Sequence, residues 1–521
     1  MQDFKSPVSR LARLFKKSRD SGQERALEKQ KKVRALEIKV RDLSDSREHW
    51  KNRALAAESK LKEQNVGGGL GEKKKGWKPM KQRENNSEKE LKVKGHSYNI
   101  KTIQQALELL INCGISFRGV EKVFELFKNS ESPANPSFTC IRKWLGRIGV
   151  YELKRKKEYR NDWIFIVDFT LELGKQKALV VLGVSQQYFA EKVIKQGRGL
   201  SQEDVELLGL EIMDSTKGEI ILSKLDKITE KVGVPVQIVA DHGSDLARGI
   251  KLYQQNHQDV IYTHDVTHAM ALLLKYQLDS NDRYQSFLQK CHTCRQRLQQ
   301  TELSFLSPPA QRSQCRYFNV ERLTDWAIKL LNSSAETLIK LVPDRSPCLI
   351  YSKIIEKLGW LADYQADLIH WNQMVTMTRG LETQLKQLGF NCQSLEYFQE
   401  NQGEFLNSSL QNFQQQLLDY VTDHCSQIKN KETFLATSDV IESLFGKYKR
   451  FSARCPFKEM GQMLLTICLS TMNLTTAVVK DALEAISFAD VEEWLAEVFG
   501  QSMLSKRKTL FSANIDNTET A

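Results

Sequence analysis

Three acids stand out by type and spacing. Asp168 closes the apolar run Trp163 to Val167, Asp241 closes Val236 to Ala240, and Glu442 lies in an amphipathic stretch. Two carboxylates at strand ends and a third on a helix are what a two-metal phosphoryl-transfer site requires: a bridging acid plus one acid for each ion, with the pair about 3.5 to 4 Å apart. In α/β sheets such residues belong at the carboxyl ends of strands, where side chains emerge into the crevice.

The elements that must position these acids begin at Trp163. Trp163 to Phe169, Ala178 to Val184 and Val205 to Ile212 read as strands, Glu219 to Val232 as a helix, Val236 to Ala240 as a fourth strand, Asp245 to Gln255 as a helix and Val260 to Thr263 as a fifth strand. The expected core is therefore a mixed α/β sheet of five strands, in the element order of the ribonuclease H-like fold. In that order the first and fourth strands are neighbours, so Asp168 and Asp241 would face one another. Asp245 competes with Asp241 but suits a cap of the following helix, and Asp439 competes with Glu442 one turn earlier.

Ile166-Val167-Asp168-Phe169-Thr170, Val239-Ala240-Asp241-His242-Gly243 and Asp439-Val440-Ile441-Glu442-Ser443-Leu444-Phe445-Gly446 resemble the three acidic motifs of DDE transposases from bacterial insertion sequences. The resemblance covers roughly residues 100 to 450. The 201 residues from Asp241 to Glu442 resemble members with an all-α domain inserted before the last catalytic helix. It implies Asp168, Asp241 and Glu442 as catalytic metal ligands for two Mg²⁺ ions, with Mn²⁺ able to substitute. Implied partners are double-stranded DNA, both transposon ends and target, and a second copy of the chain. Asp265-Val266-Thr267-His268 is similar to the acid-x-x-His element of several transposase groups, which makes His268 a further catalytic candidate; a helix-capping aspartate with a structural histidine is the plainer reading. Lys449 follows Glu442 by seven positions, roughly 20° short of two helical turns, and family members often carry a basic residue there to hold the transposon end.

The rest of the chain divides by composition. With 521 residues, several domains are expected. Lys and Arg total 76 against 64 for Asp and Glu, and the net charge of +12 favours a polyanionic partner. Residues 24 to 64 carry Val33, Leu36, Val40, Leu43, Trp50, Ala54, Ala57 and Leu61 on a heptad seam broken at Arg47, so residues 1–65 read as a basic helix that pairs two protomers as a coiled coil, or as a solvated helix on its own chain. Residues 66–97, glycine-rich then lysine-rich, read as a flexible linker.

In residues 98–158 three helices are expected, at Ile103 to Ile111, Phe117 to Phe127 capped by Ser116, and Phe138 to Ile148 capped by Ser137. That succession fits a helix-turn-helix unit whose last helix offers Arg142, Lys143 and Arg147 to DNA; a plain three-helix bundle has the same pattern. The run Lys154, Arg155, Lys156 and Lys157 adds phosphate contacts. The sheet core is assigned to 159–270, the helical insertion to 271–435, the returning helix and carboxyl-terminal helices to 436–504, and a disordered tail to 505–521.

No apolar stretch is long enough to span a bilayer, and no signal peptide is visible, so the protein is expected to stay in the compartment where it was made; the resemblance to insertion-sequence transposases implies a cytoplasmic, nucleoid-associated bacterial location. Ten scattered cysteines suit reduced thiols. Cys291 and Cys294 have the spacing of half a zinc site, with Cys315 downstream, but buried free thiols explain them more simply. Trp360 and Trp371 suit core packing better than stacking on a flipped base. A non-catalytic DNA-binding regulator derived from a transposase, and a structure-specific nuclease on the same fold, are the rival functions.

Overall fold

A computed structural model describes residues 92–127, 135–171, 176–311, 318–343, 345–400, 407–428, 432–454 and 461–513. The expected coiled coil, most of the linker, and the chain beyond 513 lie outside the described residues.

Before the sheet come α1 (Ile100–Ile111), α2 (Phe117–Leu126) and α3 (Phe138–Lys154). Side chains of Asn99, Ser116 and Ser137 accept the orphan amide protons of Thr102, Gly119 and Cys140, which fixes where each helix starts. The third helix runs six residues past the expected end at Ile148. Much of it is packed inside the fold. Ile141, Trp144, Leu145, Ile148 and Val150 are buried, and Gly146 and Gly149 let other helices close in. A Cβ on Gly149 would sit 2.6 Å from Leu465 Cβ, and one on Gly146 2.9 Å from Val491.

Five strands follow: β1 (Trp163–Leu171), β2 (Lys177–Ser185), β3 (Glu206–Met213), β4 (Gln237–Ala240) and β5 (Ile261–His264). Their order across the sheet is β3-β2-β1-β4-β5. The first three pair antiparallel, while β4 runs parallel to β1 and β5 parallel to β4. The parallel pairs need crossovers, which α4 (Gly218–Val232) and α5 (Ser244–Asn256) supply. Between α4 and β4 the chain turns at Gly233, whose φ of 99° and approach to the Arg160 carbonyl leave no room for a side chain.

Strand alternation sorts the core into two faces. Phe165, Val167, Val181, Ile238 and Ala240 pack on α4 and α5 through Ile221, Leu225, Leu246, Ile250 and Tyr253. Ile164, Ile166, Val180, Leu182 and Val239 turn the other way, into a core shared with α1 and α3. After β5 a helical region builds its own core from α6 (Val266–Asp279), α7 (Asp282–Leu298), α8 (Phe318–Leu331), α9 (Ala335–Lys340), α10 (Pro347–Leu358), α11 (Gln365–Leu388), α12 (Cys392–Glu400) and α13 (Ser408–Cys425). Phe287, Leu323, Ile350, Trp371 and Phe413 lie at its centre.

The chain returns through α14 (Asp439–Ser452), which lays Val440, Ile441, Leu444, Phe445 and Tyr448 on the Ile164 and Ile166 side of the sheet. It then forms α15 (Leu465–Ser470), α16 (Thr476–Ala485) and α17 (Phe488–Phe499), all packed against α3. A last helix, α18 (Met503–Ala513), stands where disorder was expected from 505; its first turn is capped by Ser502, and no Gly or Pro interrupts it. No helix among the described residues is long and apolar enough to cross a membrane.

Candidate active site

Register places the two aspartates. Ile166 pairs with Val239 and Val167 with Ala240 in the parallel ladder, so the next step along both strands sets Asp168 beside Asp241, on strands about 4.8 Å apart. Alternation then chooses the face. Asp168 follows Ile164 and Ile166, and Asp241 follows Val239, so both belong to the side that α14 covers. Glu442 sits in the first turn of that helix.

The meeting of acids is visible in their electrostatics. Burial, and then the neighbouring Asp241 carboxylate, push Asp168 up to about 7, with Glu442 adding to the rise. The Phe169 amide, donating to Asp168 Oδ1 at 2.7 Å, and the positive potential of His268 oppose it without cancelling it. Asp241 Oδ1 accepts from the Gly243 amide at 3.1 Å, and the Tyr262 hydroxyl donates to the Asp241 carbonyl at 2.9 Å. Among the described residues no three His, Cys, Asp or Glu side chains converge tightly enough to define a metal shell by themselves. The acids act on one another through their fields.

His268 stands on α6 with Nδ1 3.7 Å from Glu442 Oε1. Its orientation comes from Asp265, whose Oδ1 accepts from both the His268 amide at 2.7 Å and the ring Nδ1 at 2.9 Å. An ionised carboxylate only accepts, so Nδ1 carries the proton in this contact. The other oxygen of Asp265 receives the Ser438 amide at 2.6 Å, the Ser438 hydroxyl at 2.9 Å and the Thr437 hydroxyl at 3.2 Å. One fully buried carboxylate thus fastens the starts of both α6 and α14. Burial alone would raise it, but these donors and His268 hold Asp265 down at about 2.

The two competing acids have other partners. Asp245 accepts from Thr216 at 2.5 Å, and the cap of α5 is Gly243. Asp439 pairs with Lys386.

The basic candidates divide. Arg142 and Lys143 are exposed, although Arg142 Nε donates to Gln462 at 2.8 Å and the Lys143 ammonium lies 4.6 Å from the centre of the Phe488 ring. Arg147 is not offered to a partner: its guanidinium donates to the Leu483 and Ile486 carbonyls and meets His96 Nε2 at 2.9 Å. Arg155 binds Glu152 and Glu206 at 2.5 Å each, and Lys157 also pairs with Glu152. Lys154, Lys156 and Lys449 are exposed. The reading of 154 to 157 as a free basic run overlooked Glu152, a buried acid at the end of α3.

Several residues that bring the site together went unnoticed in the sequence. Gln237, buried inside β4, donates to the Leu435 carbonyl at 2.7 Å and accepts the Leu435 amide at 2.9 Å. A glutamine within an apolar strand is the one local signal, since a buried amide needs a partner. The amide of Val266 reaches the Ala436 carbonyl at 2.9 Å. These bonds, with Asp265, return the chain to the sheet immediately before Glu442.

The histidines around β5 form a structural staple. His424 Nε2 accepts the His264 amide at 3.1 Å while its Nδ1 bonds the Tyr420 carbonyl at 2.7 Å, so both nitrogens are engaged. Burial and the nearby His242 and His424 push His264 down to about 3. Cys291 and Cys294 are buried free thiols on α7, and burial raises both. Cys315 lies outside the described residues. Trp371 is buried against Tyr284, Phe287 and Tyr364, and Trp360 leans on Phe287.

No protein-family model and no curated protein matches the sequence. Among solved structures the chain is similar to one described as the Drosophila P element transposase strand transfer complex, at 12% identity and a TM-score of 0.36, over 73% of this chain and 93% of that one. A likeness that distant carries no weight, and the residues themselves must decide the function.

Proposed function

We propose that this chain is a transposase on a ribonuclease H-like sheet, cutting DNA at transposon ends and joining them to target DNA with divalent metal. The observation that carries the reading is the side-by-side position of Asp168 and Asp241 beneath the helix that carries Glu442, with burial and then the neighbouring carboxylates disfavouring the Asp168 anion. Folding alone gives no reason to collect like charges at a half-buried point; a cation does. Hard carboxylate oxygens in a strand-end crevice suit Mg²⁺, with Mn²⁺ as substitute.

Asp168 and Asp241 would hold the ions from the sheet and Glu442 from α14. Bound there, two ions would activate the attacking water or 3′-hydroxyl and stabilise the leaving oxygen of an in-line displacement. His268, held by Asp265 through Nδ1, stands with that nitrogen 3.7 Å from Glu442 Oε1 and would orient the glutamate or exchange a proton at the site. Among the described residues no side chain at the site is placed as a nucleophile, so no covalent enzyme intermediate is expected. Phosphate contacts fall to the exposed Arg142, Lys143, Lys154, Lys156 and Lys449, and the heptad seam in residues 24–64 would pair two copies on DNA.

The test uses the full chain and DNA carrying the sequences that flank its gene, with Mg²⁺ or Mn²⁺. Nicking at inverted repeats followed by joining is the expected result. Hydrolysis without joining would favour the nuclease, and binding without nicking the regulator.

A further inference from the structure

The helical region between β5 and α14 does more than fill the interval between two acids. On α11, Arg379, Glu382 and Lys386 share one face at i, i+3 and i+7. Glu382 is buried, and Arg379 and Lys386 neutralise it at 2.9 and 2.7 Å. Lys386 Nζ also reaches Asp439 Oδ2 at 2.5 Å, across to the first residue of α14 and one turn before Glu442. The hydroxyl of Thr267, next to His268, lies 3.3 Å from Asp439 Oδ1 and 3.2 Å from Glu382 Oε1. A single cluster therefore joins α6, α11 and the start of α14.

We propose that Lys386 is a positioning residue for Glu442: its bridge from the buried Glu382 to Asp439 sets the first turn of α14, so the helical region fixes the third acid of the site. The inference rests on the reading of Glu442 as a metal ligand. Asp265 holds the backbone at Ser438 from the start of α6, and Thr267 of the same helix lies 3.3 Å from Asp439 Oδ1. Lys386 supplies a second anchor one residue further on, from a different element. Because Glu382 is buried and must be neutralised, the lysine is kept at the junction rather than released to solvent. Burial works against its charge, yet Asp439 and Glu382 hold the ammonium above its ordinary value.

The variants are Lys386→Met, Lys386→Arg and Asp439→Asn, in the full chain. Amide hydrogen exchange over residues 439–446 reads positioning without any metal, and Mn²⁺ titration reads its consequence. Lys386→Met and Asp439→Asn should each speed exchange in that stretch while α15 to α17 keep wild-type protection. Each should weaken Mn²⁺ binding about 10-fold, as loss of groups that orient a ligand commonly does. Combining the two should add little, and Lys386→Arg should restore most of the affinity. Wild-type exchange and Mn²⁺ affinity in folded Lys386→Met would overturn the proposal. If instead Glu442→Gln binds Mn²⁺ as tightly as wild type, the assignment of the acids falls first and this inference with it.

Discussion

Asp168, three residues before β1 ends, and Asp265, just past β5, are both turned in from solvent, and the two live in opposite surroundings. Asp265 receives five donor contacts and is held down at about 2; Asp168 receives one amide, faces other carboxylates, and is pushed up to about 7. Burial is common to both. The difference lies in whether the fold itself supplies the compensating positive charge and donors. Where it does, the acid is part of the scaffold; where it does not, the acid waits for something from outside.

The largest expected effect breaks this contrast at the uncompensated end. Asp168→Asn, Asp241→Asn or Glu442→Gln should lower cleavage by roughly 10³-fold or more while leaving DNA binding near wild type, measured by nicking and gel shift. The same Asp168→Asn change should not cost stability. A folded-state value above the unfolded one means that Asp168 penalises the fold increasingly as pH rises from about 4 to about 7, and the amide removes that penalty. In chelator at pH 8 its Tm should equal or exceed that of wild type. A marked drop would mean that Asp168 belongs to the scaffold after all.

At the compensated end the sign reverses. Asp265→Ala should lose about 3 to 5 kcal/mol, because it strands Ser438, Thr437 and His268 donors in a buried place. Asp265 is depressed in the fold, so its contribution is fully present above about pH 4 and is lost as pH falls towards 2; it amounts to roughly 2 to 3 kcal/mol. Denaturant melts of wild type and Asp265→Asn between pH 6 and 2.5 should converge, and parallel curves would remove Asp265 as the clamp.

The contrast also explains what could be read in advance. Strand alternation and the switch to helical period are local patterns, so β1 to β5 and their crossovers came within a residue or two of expectation, and with them β1 and β4 as neighbours. The clamp was not legible. Asp265 and Ser438 are 173 residues apart, and nothing in either neighbourhood marks the other. The role expected of Arg147 failed for a related reason. Arg147 looks the same in sequence whether it meets phosphate or the Leu483 and Ile486 carbonyls, and the helices that close on α3 at Gly146 and Gly149 come from more than 300 residues further along the chain. A smaller effect probes that packing: Gly149→Ala should cost about 1 to 3 kcal/mol by pressing Leu465, with no change in DNA affinity per folded molecule.

The last and smallest effects separate the two kinds of basic residue. Arg147→Met should cost stability, about 1 to 3 kcal/mol for the carbonyls it strands, and leave the salt dependence of DNA binding unchanged. Lys449→Ala, on an exposed position of the helix that carries Glu442, should do the reverse: no measurable change in Tm, a few-fold weaker binding, and a slope of log affinity against log salt reduced by about 1. Fluorescence anisotropy across a salt series with parallel melts distinguishes them. If Arg147→Met flattened the salt slope while Lys449→Ala did not, partner contacts inside the fold would be a poor guide to which charges meet DNA, and the distinction drawn between Asp168 and Asp265 would lose its counterpart among the cations.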